Sequence, residues 1–246
     1  MDYEEEMAKI QKIGPTPDPE EMPSPEHMAL VTAMGLDQAA SQWAFKLFRD
    51  KKFRKLYGLE KLDQQEQDRI FNELVLAAEV VIMLMLEAPD LRVLPAQAGA
   101  EGMREYLMFV GEKIADAHDA TLKEYGLEKK FRRMWKKLIK MRYEEYSEDK
   151  HKAREAAMIV EERESGEVTV EALNGIQLLL PVTSVSVGCH HHICRGKVKG
   201  KDEAYKYLVK SLGKFYVEVR VPLEGGKINL WSKMRVKARK WFGMRI

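Results

Sequence analysis

Apolar and polar positions follow two different periods along this chain. From Pro25 to about residue 165 the apolar residues recur every three or four positions, the spacing of one helix face. Ser24-Pro25 is an N-cap followed by proline in the first helical position. The first helix is expected to stop at Gly35, with Asp37 capping a second in which Ala40, Trp43, Ala44, Leu47 and Phe48 share a face and Gly58 ends the run. Asp63 and Glu66 form a capping-box pattern for a third helix over about 64–87. That helix is apolar almost all round, so it is expected at the centre. A fourth is predicted over about 102–125, closed by Gly126. A fifth runs from about Glu128 to about 163, with Phe131, Met134, Trp135, Leu138 and Ile139 repeating in its first half and a charged second half facing water. Short connections between long helices predict an antiparallel bundle.

After Gly166 the pattern reads as period two. Val168 and Val170 alternate with polar residues, and Asn174-Gly175 is a hairpin signal. A returning strand over 176–187 and a loop over 188–200 follow. Asp202 then caps a short helix in which Tyr205, Leu208, Val209 and Leu212 share a face. Phe215, Val217, Val219 and Val221 form one strand. A turn at Gly225-Gly226 leads to another with Ile228, Leu230, Met234, Val236 and Ala238 on one side. The expected fold is α+β: an acidic, proline-rich tail over 1–24, a helical bundle over 25–165, and a small basic β-β-α-β-β unit over 167–246. The last unit holds few apolar residues, so it is expected to dock on the bundle or to pair with a second subunit in a homo-oligomer.

Composition changes this picture little. The chain has 246 residues, 45% apolar and 33% charged, an ordinary balance for a packed protein. Charge is uneven: residues 1–26 hold two lysines against eight acids, and residues 195–246 hold fifteen Lys/Arg against four acids. A basic end points to an anionic partner or to the acidic tail itself. Two cysteines are too few for a disulfide scaffold. Met1–Lys12 is acidic with no apolar core of a secretory signal, and the apolar stretch Leu74–Leu86, broken by Glu79, is too short for a bilayer. The expectation is a cytoplasmic protein with no membrane partner. No P-loop, G-x-G-x-x-G, G-x-S-x-G or H-E-x-x-H motif is present, so no enzyme class is assigned.

Candidate chemistry concentrates in three places. Cys189, His190, His191, His192 and Cys194 combine thiolates with imidazoles, the ligands that zinc or iron takes. In a strand His190 and His192 would share one face and Cys189 and His191 the other. Arg195 and Lys197 would hold an anionic small molecule beside such a metal. A plain polar loop and a reactive thiol are the competing readings. Second, Glu79 is the one charged residue between Leu74 and Leu86, and the fourth and fifth helices offer Glu112, Asp116, His118, Glu145, Glu148 and His151. Di-iron bundles need two Glu-x-x-His motifs and this chain has one, so pairing of Glu79 with a basic residue of another helix competes with metal binding. Third, Trp231, Lys233, Arg235, Lys237, Arg239 and Trp241 fall on one face of the last predicted strand, where cations meet phosphates and rings stack on bases. The leading expectation is a metal-binding protein, an enzyme if a substrate position stays open. The alternative is a binder of nucleic acid or another polyanion.

Overall fold

The computed structural model describes residues 24–87, 100–197 and 202–224. These residues form seven helices and one short 3-10 turn, and no strand occurs among them. The fold among the described residues is therefore all-helical, and the α+β expectation is corrected.

Helix α1 spans Pro25–Arg49; the Ser24 hydroxyl accepts a hydrogen bond from the His27 N–H at 3.2 Å. It runs unbroken through Gly35 and Asp37, where the sequence predicted a stop and a new cap. The reason is a continuous buried stripe: Ala29, Ala33, Leu36, Ala40, Ala44 and Leu47. One interior glycine costs about 1 kcal/mol, less than that stripe gains by staying in register. Asp50 caps α2 (Lys51–Tyr57), which ends at Gly58 in the left-handed region (φ 65°), and a 3-10 turn follows over Leu59–Lys61. Helix α3 spans Gln64–Leu86 with Asp63 as its cap, α4 spans Ala100–Glu124, and α5 spans Lys129–Ser165. As expected, α3 is central. It is buried almost continuously from Glu73 to Leu86 and touches α1, α4, α5, α6 and α7.

The C-terminal half departs most from expectation. Helix α6 occupies Val170–Ile193, where two strands and a loop were predicted. Thr169 accepts a hydrogen bond from the Ala172 N–H at 3.1 Å and starts it. Asn174, Gly175 and Pro181 all lie inside the helix. Apolar residues crowd the segment from 176 to 187, broken only by Gln177, Thr183, Ser184 and Ser186, so alternation there cannot tell strand from helix. The buried set decides: Ile176, Leu180, Val185, Cys189 and Ile193 recur every four or five residues. Helix α7 spans Glu203–Leu223 and absorbs the predicted strand over 215–221. Leu208, Leu212, Phe215 and Tyr216 fall on one helical face and are buried together, and Trp43 stacks on Phe215 with centroids 5.4 Å apart. Residues 1–23 of the tail predicted over 1–24, and the last predicted strand with Trp231–Trp241, lie outside the described residues.

Ala172–Ile193 of α6 is long and apolar enough to cross a membrane by length and composition, a test also met by core helices. Here half of that stretch is buried against α3, α5 and α7.

Candidate metal centre in the helical core

Three helices place one acid-base cluster in the core: Asp37 on α1, Glu79 on α3 and His118 on α4. Asp37 and Glu79 are 0% exposed and His118 is 4% exposed. The neighbouring turns are small or aliphatic: Ala33, Ala40, Val75, Ala78, Ile114 and Ala117 are all buried. Small residues let the helices approach closely enough for short polar side chains to meet. The Trp135 ring of α5 lies against the His118 ring, with centroids 4.8 Å apart.

His118 Nδ1 is 2.7 Å from Asp37 Oδ1 and 2.7 Å from Glu79 Oε1. A ring nitrogen carries one hydrogen, and its direction makes a hydrogen bond only to Asp37. Thr121 Oγ1 donates to the other Asp37 oxygen at 2.5 Å. Asp37 is thus fully satisfied. Glu79 is not: neither carboxyl oxygen has a hydrogen-bond partner, and His118 Nε2 also lacks one. A carboxyl group without solvent or hydrogen bonds is costly.

The electrostatics follow from that geometry. Burial drives the Glu79 carboxyl up to about 7, and the nearby imidazole only partly offsets it. Burial pulls His118 down, but the two carboxylates beside it win and hold the ring protonated up to about 10. Burial pushes Asp37 up, and its interactions with His118, the Glu79 carboxyl and Thr121 more than reverse this, so it stays below the ordinary carboxylate range. At neutral pH the cluster therefore compensates its charge with protons.

One oxygen from each carboxylate and a ring nitrogen all lie within 4.8 Å of one another. This is the only such group among the described residues. The donor set is two carboxylates and one imidazole, which with a neutral ring carries the charge of −2 that a divalent ion would balance. Such nitrogen and oxygen ligands suit zinc, manganese or iron. The orphaned Glu79 oxygens and the donor chemistry fit a metal ion.

The Cys189–Cys194 segment is arranged differently. It forms the last turn of α6, so consecutive side chains point about 100° apart rather than to two faces. Cys189 is buried and its thiol lies 3.6 Å from the Glu73 carbonyl oxygen. His190 meets the Tyr57 hydroxyl at 2.8 Å, and Cys194 lies 3.9 Å from the same ring nitrogen. His192 Nε2 pairs with Glu145 Oε1 at 2.7 Å on the α5 side. His191 packs toward Gly196. The five side chains are not brought together around one point. Burial raises both thiols above their ordinary value, the opposite of what a reactive thiolate needs. Arg195 pairs with Glu66. Lys197 is exposed.

The end of α6 is held by α3. Arg69 donates to the His192 and Ile193 carbonyl oxygens, both at 2.9 Å, and Glu66 holds its guanidinium from the other side. The Ile193 carbonyl is an orphan of the helix C-terminus, while the His192 carbonyl also accepts the Arg195 N–H at 3.2 Å. Arg69→Met is expected to lower stability by about 1.5–3 kcal/mol, the worth of charge-assisted hydrogen bonds, measured by urea denaturation. No change would show that water satisfies those carbonyls equally well.

Of the other acidic candidates, Asp116 pairs with Lys136 at 2.6 Å and Glu148 with the exposed Lys152. Glu79 and His118 are sequence candidates that meet in the core, as Glu145 and His192 meet beside the end of α6, and Asp37 is the residue the sequence reading missed. Its only local signal, an acid two residues after a glycine, pointed to a helix cap. No family model, no curated protein and no solved structure matches this chain.

Proposed function

We propose that the protein binds one divalent transition-metal ion at Asp37, Glu79 and His118. The observation that carries this reading is Glu79, a wholly buried carboxyl with neither oxygen hydrogen-bonded. A buried carboxylate that serves stability alone is expected to be paired and hydrogen-bonded on its remaining lone pairs. Glu79 is paired with His118 at 2.7 Å, but neither of its oxygens has hydrogen-bond geometry to a partner, and one of them faces the point where Asp37 and His118 converge. A divalent ion there replaces the protons on His118 and Glu79. When bound at three protein ligands, such an ion supplies Lewis-acid character and an open coordination position. Thr121 fixes the orientation of Asp37, and Trp135 covers the imidazole and limits water.

The test is calorimetric titration of chelator-treated full-length protein with Zn²⁺, Mn²⁺ and, without oxygen, Fe²⁺. The expected result is one ion per chain for at least one of the three. Glu79→Gln and Asp37→Asn should each lose affinity by about 100-fold or more while keeping their helix content by circular dichroism. Unchanged affinity in Glu79→Gln would rule the site out.

A dependence on pH follows. Both His118 and Glu79 must give up protons to bind an ion, so apparent affinity should rise between pH 6 and pH 9, with proton release on binding. Titrations in two buffers of different ionisation heat count the protons. An affinity flat in pH would mean that the ion sits elsewhere.

A further inference from the structure

The first half of α5 carries eight Lys/Arg and no acid between Lys129 and Arg142. By sequence its apolar residues belong on the buried side. The structure buries only part of them. Ile139 is in the core and Trp135 lies against His118, but Phe131, Met134 and Met141 are 48%, 51% and 45% exposed. At 100° per residue, Phe131, Met134, Leu138 and Met141 fall within an arc of about 80°, a stripe roughly 15 Å long. Lys130, Arg133, Lys137 and Lys140 occupy the adjoining arc. Tyr125 and Leu127, exposed in the turn before α5, lie at its near end.

The pairing of the cations sharpens the point. Arg132, Lys136 and Arg142 are engaged by Asp119, Asp116 and Glu73, and Lys140 lies 3.8 Å from an exposed Glu144. Lys130, Arg133 and Lys137, which border the stripe, have no acidic partner among the described residues. The helix thus has a core face, a cationic face and an apolar flank between them. Apolar side chains beside unpaired cations match a bilayer surface, where the former enter the acyl boundary and the latter meet phosphate headgroups. Three of the four residues of the stripe, Met134, Leu138 and Met141, give no ring on which a base can stack and only Phe131 does, so the stripe suits lipid better than nucleic acid.

We propose that this flank of α5 docks the protein on the surface of an anionic phospholipid bilayer. The helix lies in the plane of the surface with Phe131, Met134, Leu138 and Met141 inserted and Lys130, Arg133 and Lys137 over the headgroups. The inference is independent of the metal centre.

The experiment is co-sedimentation of the full chain with sucrose-loaded vesicles of phosphatidylcholine alone, or with roughly one-third phosphatidylserine. Binding is expected only to the anionic vesicles and should weaken as salt is raised. Two variants separate the contributions: Lys130→Gln/Arg133→Gln/Lys137→Gln, and Phe131→Ser/Met134→Ser/Met141→Ser. Each should lower the partition coefficient by about tenfold or more with unchanged circular dichroism. The proposal fails if the wild type does not sediment with anionic vesicles, or if both variants sediment as it does. It also fails if the serine variant binds normally while the glutamine variant loses vesicles and single-stranded DNA alike, since the face would then be a general polyanion surface.

Discussion

Replacing His118 with alanine should cost about 3–5 kcal/mol of folding stability at pH 7, the penalty of breaking a buried ion pair by removing one partner. Among the described residues the imidazolium is the one cation in contact with Asp37 and Glu79, both wholly buried, and its loss leaves the Asp37 charge in the core with no cation beside it. Urea denaturation in the presence of chelator measures this. The pH dependence has a definite sign. The folded protein holds the His118 proton up to about 10, against an ordinary 6.5, so its contribution is fully present below about 6.5 and is lost as pH rises through about 10. Glu79 acts in the same direction, because the proton it keeps up to about 7 leaves as pH rises from an ordinary 4.5. The gap between wild type and His118→Ala should therefore be largest in mildly acidic to neutral buffer and shrink toward pH 10. Glu79→Gln provides the contrast. A neutral isostere removes the charge that burial disfavours, so the variant should match the metal-free wild type near pH 6 and exceed it at pH 9. A Glu79→Gln variant several kcal/mol less stable at both values would make Glu79 a structural partner of His118 rather than a group held ready for an ion.

The second large effect is expected at Gly188. A methyl group added there would stand 2.1 Å from Cε1 and 2.7 Å from Cδ1 of Tyr146, whose side chain is fully buried and has little room to yield. Mid-helix glycine to alanine ordinarily stabilises by about 1 kcal/mol through backbone entropy alone. At this position overpacking should win, and Gly188→Ala should destabilise by about 1–3 kcal/mol net, Gly188→Val by more. The sign decides the question. A more stable Gly188→Ala would mean that α5 and α6 are not held so closely at Tyr146.

The sequence reading succeeded where local chemistry was decisive. Ser24, Asp63 and Asp202 were read as caps from side-chain type and spacing, and each accepts the expected backbone N–H. The all-round apolar run of α3 announced a central helix. The reading failed where two periods fit one segment. Phe215, Val217, Val219 and Val221 alternate, yet Leu208, Leu212, Phe215 and Tyr216 also share a helical face, and only packing against α6 and the N-terminal helices decides. Thr169, the true start of α6, stood between two valines that suggested a strand. The Asp37–Glu79–His118 cluster was half legible. Glu79 was conspicuous as a charge in an apolar helix, and His118 stood among the acids of the next. Asp37 became legible only through its partners 42 and 81 residues further along, a distance no local pattern spans.

That spread in the chain also orders events during synthesis. Asp37, Glu79 and His118 precede Trp135, whose ring covers the imidazole. Chains grow at about 5–20 residues per second and fold from the N-terminal side, so the three ligands emerge roughly one to three seconds before their cover. If the proposed ion arrived in that interval, it would be enclosed as α5 closes. One arriving later would have to wait for α5 to open, which would make acquisition by the finished protein a matter of kinetics as well as affinity.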